Sequence, residues 1–163
     1  MSGPYLYPIG DDLMRVLAWA SEAMRRFDPA WTGFRPEAQA IAHQSGGVMR
    51  AVAVYDLFSD SDCMFHLVSD GRPGWLTREF AVRALAYPFV QRRQRRLTCM
   101  VSEINRPSLL FTRRFGWTEE GRMRRAGSRG EDVILFGMLA EEAEAAIRRL
   151  RLDRRVARAA PAR

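Results

Sequence analysis

Asn105-Arg106-Pro107-Ser108 opens, and Phe115-Gly116-Trp117 closes, the helical part of the stretch that decides this fold. The stretch then runs through Glu120-Gly121-Arg122-Met123-Arg124 to Val133-Ile134-Leu135-Phe136-Gly137-Met138-Leu139. Asn105 to Phe115 reads as a short helix. Gly116 is its expected left-handed C-cap, with Trp117 folding back on the last turn. Glu119 to Arg125 and Asp132 to Leu139 then make a pair of strands across the turn Gly127 to Gly130.

Working outward, Leu97 to Ile104 alternates as a strand does, and Cys63 to Ser69 is a second, apolar strand. Between them lie a loop, Asp70-Gly71-Arg72-Pro73-Gly74-Trp75, and a helix starting near Leu76 or Thr77. That helix carries Phe80, Ala84 and Tyr87 inward, and Pro88 kinks or ends it. Met1 to Gly10 is an extended lead-in, because Pro4 and Pro8 block helix. Asp11 or Asp12 can cap a first helix, with Leu13, Val16, Leu17, Ala20, Met24 and Phe27 on one face and Asp28-Pro29 closing it. Ala38 to Gln44 and Val48 to Phe58 read as a hairpin around Gly46-Gly47, and Ser59 to Asp62 as a polar turn. From Ala140 the chain is helical and increasingly rich in arginine. The organisation is one α+β domain over residues 1–147 and an Arg-rich helical tail over 148–163, with no internal repeat.

Composition bounds the function. A chain of 163 residues, 47% hydrophobic and 28% charged, can build a core without disulfide or metal staples. No apolar run approaches membrane-spanning length and no signal-peptide layout precedes the first helix, so a cytoplasmic protein is the default expectation. Cys63 and Cys99 sit in apolar stretches without metal-ligand spacing, and His43 and His66 are too scattered for a zinc site, so no metal is expected. The net charge is +7 and every basic residue is arginine. Guanidinium groups grip phosphates and carboxylates with a planar fork, so the surface should attract anions.

The segment from Cys63 to Glu142 resembles the core of the GNAT superfamily of N-acetyltransferases. The stretch quoted at the outset is similar to the N-x-x-S … G-F-x-x-E-G-x-x-R … apolar-strand ending of the branch that acetylates N-terminal alanines of ribosomal proteins. It is still more similar to small phage- and prophage-encoded GNAT proteins, where Trp75-Leu76-Thr77-Arg78-Glu79-Phe80 and Tyr87-Pro88-Phe89 also have counterparts. The resemblance covers about half the chain. It implies a mixed, mostly antiparallel sheet with helices on both faces. It also implies a splayed parallel strand pair, Cys63 to Ser69 and Leu97 to Ile104, whose V-shaped slot takes the pantetheine arm of acetyl-CoA. The implied activity is acetyl transfer to an amine, on a protein N-terminus or a small molecule.

The pyrophosphate of such a cofactor needs backbone N–H groups at a helix start. Gly71 to Thr77 is in the right place, and Gly74 allows close approach. The expected cofactor contacts are therefore Leu67, Val68, Ser69, Gly71, Arg72, Gly74, Trp75, Leu76 and Thr77, with Asn105 and Phe111 from the following helix. The loop departs from the family's Q/R-x-x-G-x-G/A. With Gly74 as the central glycine, Gly71 stands at the Q/R position, Leu76 at the final small one, and Pro73 removes a donor.

Transfer also asks for a base, for stabilisation of the thioester oxygen, and for an acid to protonate the leaving thiolate. The family's tyrosine acid is replaced by Thr112, which leaves Ser108 either as that acid or as a first-turn serine solvating the backbone. Asn105 can cap the helix or orient the cofactor. Glu103, at the end of the second splayed strand, is either the base or the partner of an arginine. His66 is either a second candidate base or a core histidine. Glu120-Gly121 reads as structural, and Gln91 to Arg96 as a holder of the cofactor's 3′-phosphate or a solvated helix end. Two functions stay open. One is an acetyl-CoA-dependent N-acetyltransferase. The other is a catalytically degenerate GNAT-fold binding or structural module, for example a phage particle component, which would be virion-associated. The Arg-rich tail adds an anionic protein or nucleic-acid partner to either.

Overall fold

The computed structural model describes residues 4–152, with helix backbone alone at 151 and 152. Among the described residues seven strands form one sheet: β1 (Tyr5–Leu6), β2 (Gln39–Ser45), β3 (Val48–Asp56), β4 (Met64–Ser69), β5 (Arg96–Ser102), β6 (Thr118–Met123) and β7 (Val133–Leu139). Their order is β1-β2-β3-β4-β5-β7-β6. Every neighbouring pair is antiparallel except β4 and β5. The four α-helices among the described residues are α1 (Gly10–Arg25), α2 (Arg78–Ala86), α3 (Arg106–Phe115) and α4 (Ala140–Leu152), and a π-helical turn, Tyr87–Gln91, follows α2.

Alternation along the central strands builds a core on each face. Ala51, Ala53 and Tyr55 of β3 pack with α2, α3 and α4, while Val52 and Val54 pack with α1. Helix α1 packs chiefly on β2, β3 and β4. Met100 of β5, paired with Leu135, is 46% exposed.

Most elements follow the sequence expectations. Gly46 and Gly47, both at positive φ, make the two-residue turn between β2 and β3. Gly116 takes φ +98 as the C-cap of α3, and the Trp117 N–H returns to the Thr112 carbonyl. Two expectations about α1 fail. Its N-cap is Ile9 without a side-chain bond, and Asp11 and Asp12 lie inside the first turn, where they complement the helix dipole. Phe27 is past the end of the helix and 62% exposed, because the chain turns at Arg25 and the Asp28 carboxylate caps Ala30 instead.

Pro88 acts on α2 as its missing N–H dictates. The Ala84 carbonyl cannot receive its usual donor four residues on, and the buried Tyr55 hydroxyl donates to it at 2.6 Å. The chain then widens into the π turn, closed by Arg92 N–H to the Tyr87 carbonyl at 3.1 Å. Glu120 sits at a register shift between Glu119 and Gly121. Its carboxylate reaches over Gly137, where a Cβ would overlap it, and pairs with Arg96 at 2.7 Å. Glu120-Gly121 is thus structural.

Candidate active site

Strands β4 and β5 lie parallel but share a single register pair, Met64 with Thr98, at their beginnings. Thr98 N–H bonds the Cys63 carbonyl at 3.0 Å, and beyond that point the two strands part. On their other sides β4 is held along its whole length by β3, and β5 by β7. The backbone groups of β4 that face β5 are left without a strand partner past Met64.

Over this parting lies an apolar cleft. Phe65 and Leu67 form its floor, Phe80, Ala81 and Ala84 of α2 one wall, and Phe111, Phe115 and Trp117 the other. Phe65 stacks on Trp117 at 5.5 Å between centroids, and Phe111 on Phe115 at 5.3 Å. Of these, Leu67 and Phe111 were expected from the sequence. The others were missed as site residues, although Phe80 and Ala84 were expected to face inward. Their signal is the helical spacing of Phe80, Ala81 and Ala84 and of Phe111 and Phe115, which also reads as ordinary core.

The loop after β4 is built by its own polar residues. Ser69 Oγ accepts from Gly71 N–H and Asp70 Oδ1 from Arg72 N–H, while Gly71 and Gly74 take φ +74 and +82. Thr77 is the N-cap of α2, its Oγ1 accepting from Phe80 N–H at 3.1 Å. The N–H groups of Gly74, Trp75, Leu76 and Thr77 have no hydrogen-bond partner among the described residues. Leu76 lines the cleft, and the Trp75 ring reaches Phe111 on α3, 5.7 Å between centroids, across the slot. Val68 faces the opposite way, into the α1 core.

On the other wall, Asn105 caps α3 by accepting from Ser108 N–H at 3.3 Å. Ser108 shares the helical stripe of Phe111 and Phe115, three and seven residues on, but does not itself line the apolar cleft. Thr112, at the position where the resemblance leads one to expect a tyrosine, is buried.

The two candidate bases are placed differently from the catalytic expectation. Glu103 turns to the β7 side of β5, away from the slot. One carboxylate oxygen accepts from Asp132 N–H at 3.0 Å and the other from Arg122 at 2.8 Å. These hydrogen bonds, the backbone one first, hold its pKa below the ordinary value. Pairing with an arginine is therefore the alternative realised. His66 lies on the α1 face of β4, its ring edge-on to Trp31 at 5.5 Å and Phe34 at 5.3 Å. Burial there lowers its pKa to about 4, against a smaller opposing effect of Asp56, so it is neutral at pH 7 but a weak base.

The run Gln91 to Arg96 seats the start of β5. Arg95 and Arg96 N–H both bond the Ser61 carbonyl, Gln94 is buried against the Ser59 carbonyl, and Arg92 lies over the Phe58 ring. This is the joined end of the strand pair. The loop after Ser69 lies at the open end, a strand length away, roughly 20 Å.

No family model matches the chain, and no curated protein matches it. Solved structures do. A spermidine/spermine N-acetyltransferase, SpeG from Vibrio cholerae, superposes with a TM-score of 0.59 at 15% identity, over 66% of this chain and 70% of that one. The same enzyme in a dodecameric structure gives 0.57 at 16%, over 66% and 67%. A protein of T. thermophilus named as an acetyltransferase gives 0.61 at 19%, over 72% and 66%. At these identities the likeness is one of fold: the chain has the mixed sheet, parted strand pair and helices of the GNAT N-acetyltransferases.

Proposed function

We propose that the protein is an acetyl-CoA-dependent N-acetyltransferase. The observation that carries this reading is the parting of β4 from β5 after one register pair, beside a glycine loop that enters a helix. Pantetheine amides would pair with the free backbone edge of β4, and the pyrophosphate would meet the unpartnered N–H groups of Gly74 to Thr77. The arm can enter only if the Trp75 ring moves off Phe111. Helices α2, α3 and α4 cover one face of the sheet, so the amine would reach the thioester from the face where Met100 is exposed.

In the reaction the amine nitrogen forms a bond to the acetyl carbon and the carbon–sulfur bond breaks. With Glu103 engaged elsewhere and His66 weakly basic, the amine reacts as its free base, having lost its proton to solvent. The departing thiolate would take a proton from Ser108, which water replenishes, and the proton that the nitrogen sheds on becoming an amide would pass to solvent. Catalysis then rests on positioning more than on a built-in base. The rate should rise with pH as the amine's own deprotonation does. Release of thiol from acetyl-CoA, measured with spermidine and with a peptide bearing an N-terminal alanine as acceptors, tests the activity. No release with any amine, despite bound acetyl-CoA, would favour the degenerate binding module.

The Arg-rich tail from Arg148 belongs to this proposal as a contact for an anionic protein or nucleic acid. Residues 153–163 lie outside the described residues. Deleting 153–163 should leave the melting temperature unchanged and abolish salt-sensitive association with a nucleic-acid probe, whereas unfolding on deletion would make the segment part of the core.

A further inference from the structure

Three side chains distant in sequence converge on the loop Asp70–Thr77, and none of them faces the slot. From β1, the Tyr5 hydroxyl meets Thr77 Oγ1 at 2.8 Å. From β2, His43 Nδ1 meets the Trp75 carbonyl at 2.9 Å. A carbonyl only accepts, so Nδ1 carries the proton. From β3, Arg50 donates to the Pro73 carbonyl at 2.8 Å and pairs with Asp70 at 2.9 Å, with side chains only 16% and 15% exposed. The His43 ring is itself fixed between Tyr5 and Phe80, with centroids at 5.3 and 5.7 Å.

The chemistry of these ties is selective. At Pro73 and Trp75 they take carbonyl oxygens, and at Thr77 a hydroxyl already serving as the helix cap. They consume none of the N–H groups of Gly74 to Thr77. Turning a peptide's carbonyl toward the sheet turns the N–H of the following residue the other way, because the peptide is planar and trans. Bonds to the carbonyls of Pro73 and Trp75 thus aim the N–H groups of Gly74 and Leu76 outward. Without such ties, a loop with two glycines at positive φ would have many conformations to lose on binding an anion.

We propose that Tyr5, His43 and Arg50 are positioning residues that hold the loop's N–H groups ready for the diphosphate of an acyl-CoA. The proposal rests on the reading of this loop as the cofactor's seat. A merely structural role would lower stability without touching affinity, so the two must be measured together.

The test is calorimetric titration of the full chain with acetyl-CoA, paired with thermal melting, for wild type and for Tyr5→Phe, His43→Phe, His43→Asn and Arg50→Met. Tyr5→Phe and His43→Phe keep the stacked rings and remove only the polar tie. Each should weaken binding about threefold to tenfold, as expected for one lost hydrogen bond. His43→Asn, which restores a donor near the Nδ1 position, should recover most of the affinity. Melting temperatures should stay within a few degrees. If wild type binds and Tyr5→Phe and Arg50→Met bind equally well, the positioning role is overturned while the cofactor reading stands. If wild type does not bind at all, the cofactor reading fails and takes this inference with it.

Discussion

Tyr55→Phe isolates one bond on which the second half of α2 depends. The ring is fully buried between Phe65 and Tyr87, and its hydroxyl supplies the Ala84 carbonyl with the donor that Pro88 lacks. Phenylalanine keeps the ring contacts and removes one oxygen, so the cost is that of the bond and of a carbonyl left unsatisfied in the core. Such a loss is worth about 2 kcal/mol. For a chain of this size that corresponds to roughly 4–8 °C in melting temperature. Tyr87→Phe, at a half-buried residue, should change it by about 1 °C or less. Burial also raises the Tyr55 pKa well above its ordinary value of 10, with Cys63 and Tyr87 adding to it. The folded state therefore keeps its proton longer than the unfolded chain. This contribution is complete below pH 10 and is lost as pH rises beyond it, a slope that Tyr55→Phe should remove. Differential scanning calorimetry at pH 7 measures the main effect. A shift no larger than that of Tyr87→Phe would mean that the Ala84 carbonyl has another donor, and the explanation of the π turn would fall.

His66 is depressed from 6.5 to about 4, so the unfolded chain takes up its proton first. Its contribution to stability is complete above pH 6.5 and is lost as pH falls from there to 4. Urea midpoints of His66→Phe should lack that part of the slope, and an imidazole titrating near 6.5 by NMR would contradict the burial argument. Glu103→Gln should leave turnover within about twofold, because a positioned base would cost a hundredfold or more. Its depressed pKa contributes stability above the ordinary carboxylate value that disappears as pH falls through the lower folded value, so acid melting curves of the variant should be flatter. Trp75→Ala should speed acetyl-CoA association measured by stopped flow, since the indole bridges the slot; a slower association would show that the ring forms part of the seat.

The fold was legible in the sequence where a residue's backbone chemistry leaves little choice. Gly46-Gly47, Pro88 and Gly116 fixed a hairpin, a helix end and a C-cap, and the apolar strands between them supplied the sheet. Helix α1 was misjudged at both ends, because aspartate suits the first turn as well as the cap and Phe27 fits the apolar period beyond the helix. The parted strands and the loop were expected through a resemblance to a family, not through periodicity. Glu103 was misplaced as a catalytic candidate for a physical reason. Strand alternation assigns a residue to one face or the other, but Glu103 lies just past β5, where the chain turns and its carboxylate meets Asp132 and Arg122 from distant sequence. The ties from Tyr5, His43 and Arg50 were illegible for the same reason: they span 72, 32 and 23 residues.

The central claim is that the gap between β4 and β5 holds an acyl-CoA, and calorimetric titration with acetyl-CoA tests it most directly. Wild type should bind one equivalent saturably. Ala81→Leu, which adds carbon to the wall of the cleft, should bind at least tenfold more weakly while keeping a cooperative melt. No heat and no thermal shift with wild type at millimolar acetyl-CoA, from a protein that melts cooperatively, would contradict the claim. Undiminished binding by Ala81→Leu would place the cofactor elsewhere.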